Sequence, residues 1–219
     1  MKRLLCLGLA ALLLLSGTAC GGPSASPRAW YDALDRLKRK ENYTVYETCC
    51  GVQTVYRYDR DTAQVVSPDE TLYYARIDGT CYGYAHVEEP SVWVRQAVPE
   101  SENYFYAYEW IERLNKISAY IDQGLLTCTA DGVYTGRDLK QTYVFRGEEH
   151  TPSSLEVRVE NGDIVYLKEC YGGYADEERT IWDDRKTDEV RFTDFSQTQV
   201  KLPLDVIDYE GETENDHNE

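Results

Sequence analysis

Beyond Leu15, this chain of 219 residues has no apolar run approaching the roughly 20 residues that a membrane-spanning helix needs. Methionine is nearly missing, with 1, and histidine is scarce, with 3. That scarcity narrows the chemistry. His86, His150 and His217 form no HExxH-type pair, and no GxSxG, P-loop or GxGxxG string occurs. Adjacent carboxylates such as Glu88-Glu89 and Glu177-Glu178 are expected on any solvated surface of a chain with 39 Asp and Glu. The expectation is therefore a protein that is not an enzyme, with no catalytic residue, cofactor or metal ion. Positive charge is also short. The formal net charge is −16, and no Lys/Arg cluster offsets it. So acidic a surface repels nucleic acid and anionic headgroups, which excludes a nucleic-acid partner.

What is present begins at the first residue. Lys2 and Arg3 precede the apolar stretch Leu4–Leu15, and the small residues Ser16-Gly17-Thr18-Ala19 lead to Cys20. A positive n-region, a short apolar h-region and small residues at the cut describe an export signal over residues 1–19. Gly17-Thr18-Ala19-Cys20 resembles the lipobox of bacterial lipoproteins, with Gly17 where Leu is usual. The resemblance implies that Cys20 is diacylated and becomes the mature N-terminus. Two acyl chains on one residue anchor stably. Residues 20–27, with Gly21-Gly22-Pro23-Ser24-Ala25-Ser26, then read as the lipidated cysteine and a flexible tether. The expected location is the extracytoplasmic face of a cell membrane, and the membrane is the first expected partner. At the other end, residues 206–219 are rich in Asp and Glu and read as a disordered acidic tail. One domain, 28–205, lies between.

Within that domain the period of the apolar residues sorts the elements. Ala29, Trp30, Ala33, Leu34 and Leu37 fall on one helical stripe, with Pro27 suited to the first turn. From Tyr43 the period changes to 2: Tyr43–Cys49, Val52–Tyr58, Leu72–Ile77, Thr80–Val87 and Val92–Ala97 read as strands. Asp78-Gly79 is a two-residue type I′ turn, which pairs Ile77 with Thr80, Ala75 with Tyr82 and Tyr73 with Tyr84. A second helix interrupts the strands, with Ala107, Trp110, Ile111, Leu114, Ile117 and Ile121 on its stripe and Gly124 as its stop. Strands resume at Leu125–Thr129 and Lys140–Arg146. A hairpin follows around Asn161-Gly162, pairing Val159 with Ile164 and Val157 with Tyr166. The last strand is expected near Glu189–Phe195. The class is α+β, with helices against one antiparallel sheet.

The order of these elements resembles the LolA-like half-barrel lipoproteins. The resemblance is carried by the opening helix Ala29–Leu37, the hairpin Leu155–Lys168, and the closing Val190-Arg191-Phe192-Thr193-Asp194-Phe195 with Val200-Lys201-Leu202-Pro203. It covers most of the mature chain on short motifs. It implies a curved antiparallel sheet, or half-barrel, with the N-terminal helix and the helical insertion packed on one face. Some members enclose an acyl-chain cavity there.

Two residue types remain. Cys49, Cys50, Cys81, Cys128 and Cys170 follow Cys20, and outside the cytoplasm disulfides persist. Disulfides among these five are the first expectation and buried free thiols the second. A zinc site fits poorly, because the adjacent Cys49 and Cys50 cannot easily place both thiolates on one tetrahedron. On a strand, Cys49 and Cys50 face opposite sides and serve different partners. Tyrosine is abundant, with 19 against 4 Phe. Tyr73, Tyr82 and Tyr84 share a hairpin face, while Tyr108 and Trp110 open the helical insertion. These five are the candidate ligand or partner surface, since Tyr offers apolar area with a polar tip. A core built with Tyr in place of Phe explains the same composition. Two functions fit: a partner-binding or regulatory module, or a carrier or sensor of a lipid or other amphiphile in the concavity.

Overall fold

The computed structural model describes residues 27–99, 107–129, 132–174 and 182–209. The signal, Cys20, the tether up to Ser26 and the chain beyond Tyr209 lie outside the described residues. The protein is α+β: two helices accompany a large, open, mostly antiparallel sheet.

Helix α1, Pro27–Lys38, buries Trp30, Ala33, Leu34 and Leu37, the expected stripe without Ala29, which is exposed. Fully burying each large member stabilises the fold by about 1.5–3 kcal/mol. Six strands follow as a meander: β1 Asn42–Cys49, β2 Val52–Asp59, β3 Thr62–Val66, β4 Thr71–Ile77, β5 Thr80–Val87 and β6 Val92–Ala97. Helix α2, Ala107–Asp122, buries Trp110, Leu114, Ile117, Tyr120 and Ile121. The Trp30 indole N–H donates to the Ser118 hydroxyl at 2.8 Å, tying α1 to α2. Strands β7 Thr127–Thr129, β8 Val133–Arg137, β9 Tyr143–Phe145, β10 Glu148–Glu160, β11 Asp163–Tyr174, β12 Trp182–Thr193 and β13 Val206–Asp208 complete the chain.

The strand order is β13-β6-β5-β4-β3-β2-β1-β12-β11-β10-β8-β7, with β9 paired to β10. All pairs are antiparallel except β13 with β6. Tyr43 and Val45 (β1), Tyr56 and Tyr58 (β2), Ala63 (β3), Tyr74 (β4), Leu155 and Val157 (β10), Ile164 and Leu167 (β11) and Val190 and Phe192 (β12) join the helix residues in one core. Both expected type I′ turns are present, with φ of 51° and 84° at Asp78-Gly79 and 53° and 82° at Asn161-Gly162. The first keeps its expected register.

Several expectations are corrected. In the second hairpin Val159 pairs with Ile164, but a bulge follows, so Arg158 faces Tyr166 and Val157 faces Leu167. One extra residue in a strand reverses every later side chain. Leu167 is therefore in the core, and Tyr166 lies outside under the Arg158 guanidinium, 4.6 Å from its ring. β3 and β8 were not expected, and β10, β11 and β12 run longer than their sequence signals. The expected strand Lys140–Arg146 shrinks to β9. Val206–Asp208 falls in the segment expected to be a disordered tail, yet it pairs with Trp93, Val94 and Arg95.

Candidate functional site

The strands β4, β5 and β6 carry the core side of the sheet beyond the helix-packed core. On that side the register aligns Tyr74 with Gly83 and Gln96, and Ala85 with Val94. Gly83 and Ala85 leave a low floor between taller walls, and the result is an open groove of about 470 Å³. Leu72, Tyr74, Val87, Val94 and Val98 line it, and Tyr209 closes its end, held by a bond from its N–H to the Arg95 carbonyl at 2.8 Å. The glycine sets the depth: a Cβ on Gly83 would meet Val98 Cγ1 at 3.3 Å and the Tyr74 ring at 3.6 Å.

The opposite side of the same strands holds a ladder. Arg57, Gln64, Tyr73, Tyr84 and Arg95 are successive cross-strand partners, with Asp208 paired to Arg95. Arg57 donates to Gln64 Oε1 at 2.9 Å, Gln64 donates to the Tyr73 hydroxyl at 2.8 Å, and Arg95 bonds Asp208 at 2.6 Å. Tyr73 meets Trp93 edge-on at 5.2 Å, and Arg95 lies 4.8 Å over the Tyr82 ring. Two expected surface residues, Tyr73 and Tyr82, are thus half-exposed members of a polar-aromatic row, and Tyr84 is buried in it.

The other two expected site residues are elsewhere. Trp110 is fully buried in the core, against Tyr56, Phe145 and Phe192, so it cannot face a ligand at the surface. Its aromatic neighbours in sequence gave the wrong impression, because the α2 stripe turns it inward. The side chain of Tyr108 lies outside the described residues.

A buried ionic cluster was not foreseen. Arg113 on α2 is fully buried, with its guanidinium on Glu169 Oε2 at 2.7 Å, Asp188 Oδ2 at 2.5 Å and the Tyr143 hydroxyl at 3.1 Å. Tyr143 also donates to Glu169. The His150 ring is stacked between Tyr143 and Tyr171, at 5.2 and 4.2 Å, and its Nδ1 lies 3.4 Å from Glu169 Oε1. Burial pushes the Glu169 carboxyl up, but the neighbouring His150 ring and the Arg113 charge outweigh it and hold it below the usual value. At Asp188 burial wins over Arg113, with help from the charges of Glu47 and Glu169, and the pKa is raised. Beside this cluster Arg146 pairs with Glu47 at 2.9 Å and Glu109 at 3.1 Å. Arg113 sits one position from Leu114, at a spacing that reads equally well as the wet side of a helix. Only the facing strands reveal it as buried.

Among the described residues, none of Cys49, Cys50, Cys81, Cys128 and Cys170 is joined in a disulfide, so the expected bridges are not formed here. Cys81 is on β5 and Cys128 on β7, near opposite ends of the sheet, so the strand order keeps those two apart. Cys50 is not on a strand. It opens a type I′ turn with Gly51, at φ of 51° and 88°, which corrects the expectation that Cys49 and Cys50 face opposite ways: their sulfurs are 3.9 Å apart. Among the described residues, no group of three or more His, Cys, Asp or Glu is placed to hold a metal ion. No described helix is long and apolar enough to cross a membrane. No family model matches the chain, and no curated protein matches it.

Proposed function

We propose that this protein is a lipid-anchored, extracytoplasmic, non-catalytic module that binds a protein partner through the groove over β4–β6. The anchor rests on the resemblance of Gly17-Thr18-Ala19-Cys20 to a lipobox after an export signal. The architecture is read as a half-barrel of the LolA-like kind, with both helices in its concavity. The shared core of α1, α2 and strands from both halves of the sheet supports that reading.

The observation that carries the choice of function is how space is distributed along the sheet. Where the helices pack, Trp30, Trp110, Tyr43, Tyr134 and Phe192 are nearly or fully buried and fill the interior with the protein's own side chains. Past them, among the described residues, the open groove floored by Gly83 and Ala85 offers an acyl chain room. An open apolar trough suits a ridge of side chains on another protein. The net charge of −16 adds a preference for a partner with a basic surface, since complementary charge speeds encounter. The same trough supports a second reading, an amphiphile laid along Gly83 and Ala85.

The test is a photoreactive residue in place of Val94 in the producing cells. A defined protein adduct that weakens with salt and disappears in Gly83→Phe supports partner binding. A lipid adduct favours the second reading, and no adduct overturns both. The anchor is checked separately with an alkyne fatty acid, which should label the wild type and leave Cys20→Ala unlabelled and released.

A further inference from the structure

Four hairpin turns among the described residues have both central residues at positive φ: Cys50-Gly51, Asp78-Gly79, Arg146-Gly147 and Asn161-Gly162. The first position of such a turn favours Asn, Asp or Gly, because other side chains are strained in the left-handed region. Two turns obey. The other two hold Arg146 and Cys50 there, and Cys50 comes directly after another cysteine at the end of β1. In a straight strand neighbouring side chains diverge to opposite faces. The left-handed backbone at Cys50 undoes that divergence and brings its sulfur to 3.9 Å from Cys49 Sγ. Cys50 is exposed to solvent. Cys49 is half-buried, 3.8 Å from the Tyr171 hydroxyl, and its register partner is Asp188.

We propose that Cys49 and Cys50 form a reversible redox couple, a vicinal dithiol that a small disulfide of the glutathione class converts to a Cys49–Cys50 bridge. Cys50, deprotonated to solvent, attacks one sulfur of the oxidant. The oxidant's S–S bond breaks, one thiolate leaves and takes up a proton, and a mixed disulfide forms on Cys50. Cys49 then gives its proton to solvent and attacks the Cys50 sulfur, expelling the second thiolate, which is protonated in turn. The protein has lost two protons and two electrons, and one oxidant disulfide has become two thiols. Burial, then the Asp188 charge, pushes the Cys49 thiol up to about 12, so the second step is the slow one and quickens as pH rises. Across a trans peptide the two Cα atoms are about 3.8 Å apart, closer than the usual 4.4–6.8 Å of a disulfide. Such a bridge is strained and easily reduced, which makes the couple a reporter of redox state and not a structural staple. The geometry does not depend on where the chain is anchored or what its groove binds.

The experiment incubates the mature chain with oxidised glutathione at mildly alkaline pH, alkylates it and maps the cysteines by mass spectrometry. Cys49 and Cys50 should lose alkylation together, retain no glutathione, and regain both thiols with a dithiol reductant. Cys50→Asn, which installs the residue of the Asn161-Gly162 turn, should keep the melting temperature and leave Cys49 alkylatable. Cys50→Ser gives the same readout if the amide disturbs the turn. A stable glutathione adduct on Cys50, an unreacted pair, or a bridge from Cys49 to a third cysteine that survives in Cys50→Asn would overturn the couple.

Discussion

Arg113, Glu169 and Asp188 show how much a single charge depends on its surroundings. Two carboxylates face one buried guanidinium, with the His150 ring beside Glu169. The Asp188 pKa is raised and the Glu169 pKa lowered, so as pH falls Asp188 takes up a proton before Glu169 does. Removing Glu169 leaves Arg113 undercompensated, so Glu169→Gln should cost about 3–5 kcal/mol, the range for breaking a buried pair. Asp188→Asn mimics the protonated acid and should cost about 1 kcal/mol, near a single hydrogen bond. The pH dependence separates them. A raised folded pKa on an acid contributes stability below its unfolded value and loses it as pH rises through the folded one. Asp188→Asn should gain on the wild type in urea midpoint as pH rises above about 4. The Glu169 contribution runs the other way: it is present above the unfolded pKa and lost as pH falls through the depressed one. Equal costs for the two variants, with no divergence in pH, would mean that the proton is not held as argued. None of this was legible in the sequence. Arg113 looks like a solvated helix residue until β9, β11 and β12 are brought over it.

At the scale of elements, the legible parts had local signals. Asp78-Gly79 and Asn161-Gly162 announce positive-φ turns, and the α1 stripe announces its buried side. β3 went unseen because its entry turn uses Arg60, at φ 53°, followed by Asp61, with no glycine to mark it. The first half of β10 was hidden by Pro152, a poor strand residue, which is accommodated at a register irregularity between Pro152 and Ser154. The bulge after Arg158 has no sequence mark at all. It is testable, since it exchanges the environments of Tyr166 and Leu167. Leu167→Asp sets a carboxylate in an apolar layer and should cost several kcal/mol, whereas Tyr166→Ser, at a partly exposed position, should cost about 1 kcal/mol or less. Urea midpoints decide it, and the reverse ranking would restore the unbulged hairpin. The turn itself predicts a further loss. Gly162→Val forces a branched residue to φ 82° and should lower stability by about 1–3 kcal/mol, because the nearby Arg36 side chain can swing aside but the backbone cannot.

Over the whole molecule, one sheet serves two regimes. Strands β1, β2, β10, β11 and β12 pack against helices or against one another through a continuous core, and the ionic cluster around Arg113 fastens α2 to β11 and β12. Neither β5 nor β6 contributes a side chain to that core, and β13 adds only three residues to the edge. Local stability follows the apolar contacts a region buries, so the groove end of the sheet should open without the rest. A surface that adapts to a partner gains from being drawn from this less stable end. In native-state hydrogen exchange, amides of β5, β6 and β13 should exchange by sub-global openings well below the global unfolding free energy. Amides of β11 and β12 should exchange only with global unfolding. Arg95→Ala, which removes the tie to Asp208 and the stack on Tyr82, should speed exchange in β6 and β13 and leave β11 unchanged. If β5 and β11 instead share one exchange free energy, the sheet is a single cooperative unit. The groove is then as rigid as the core, and recognition there must proceed without local opening.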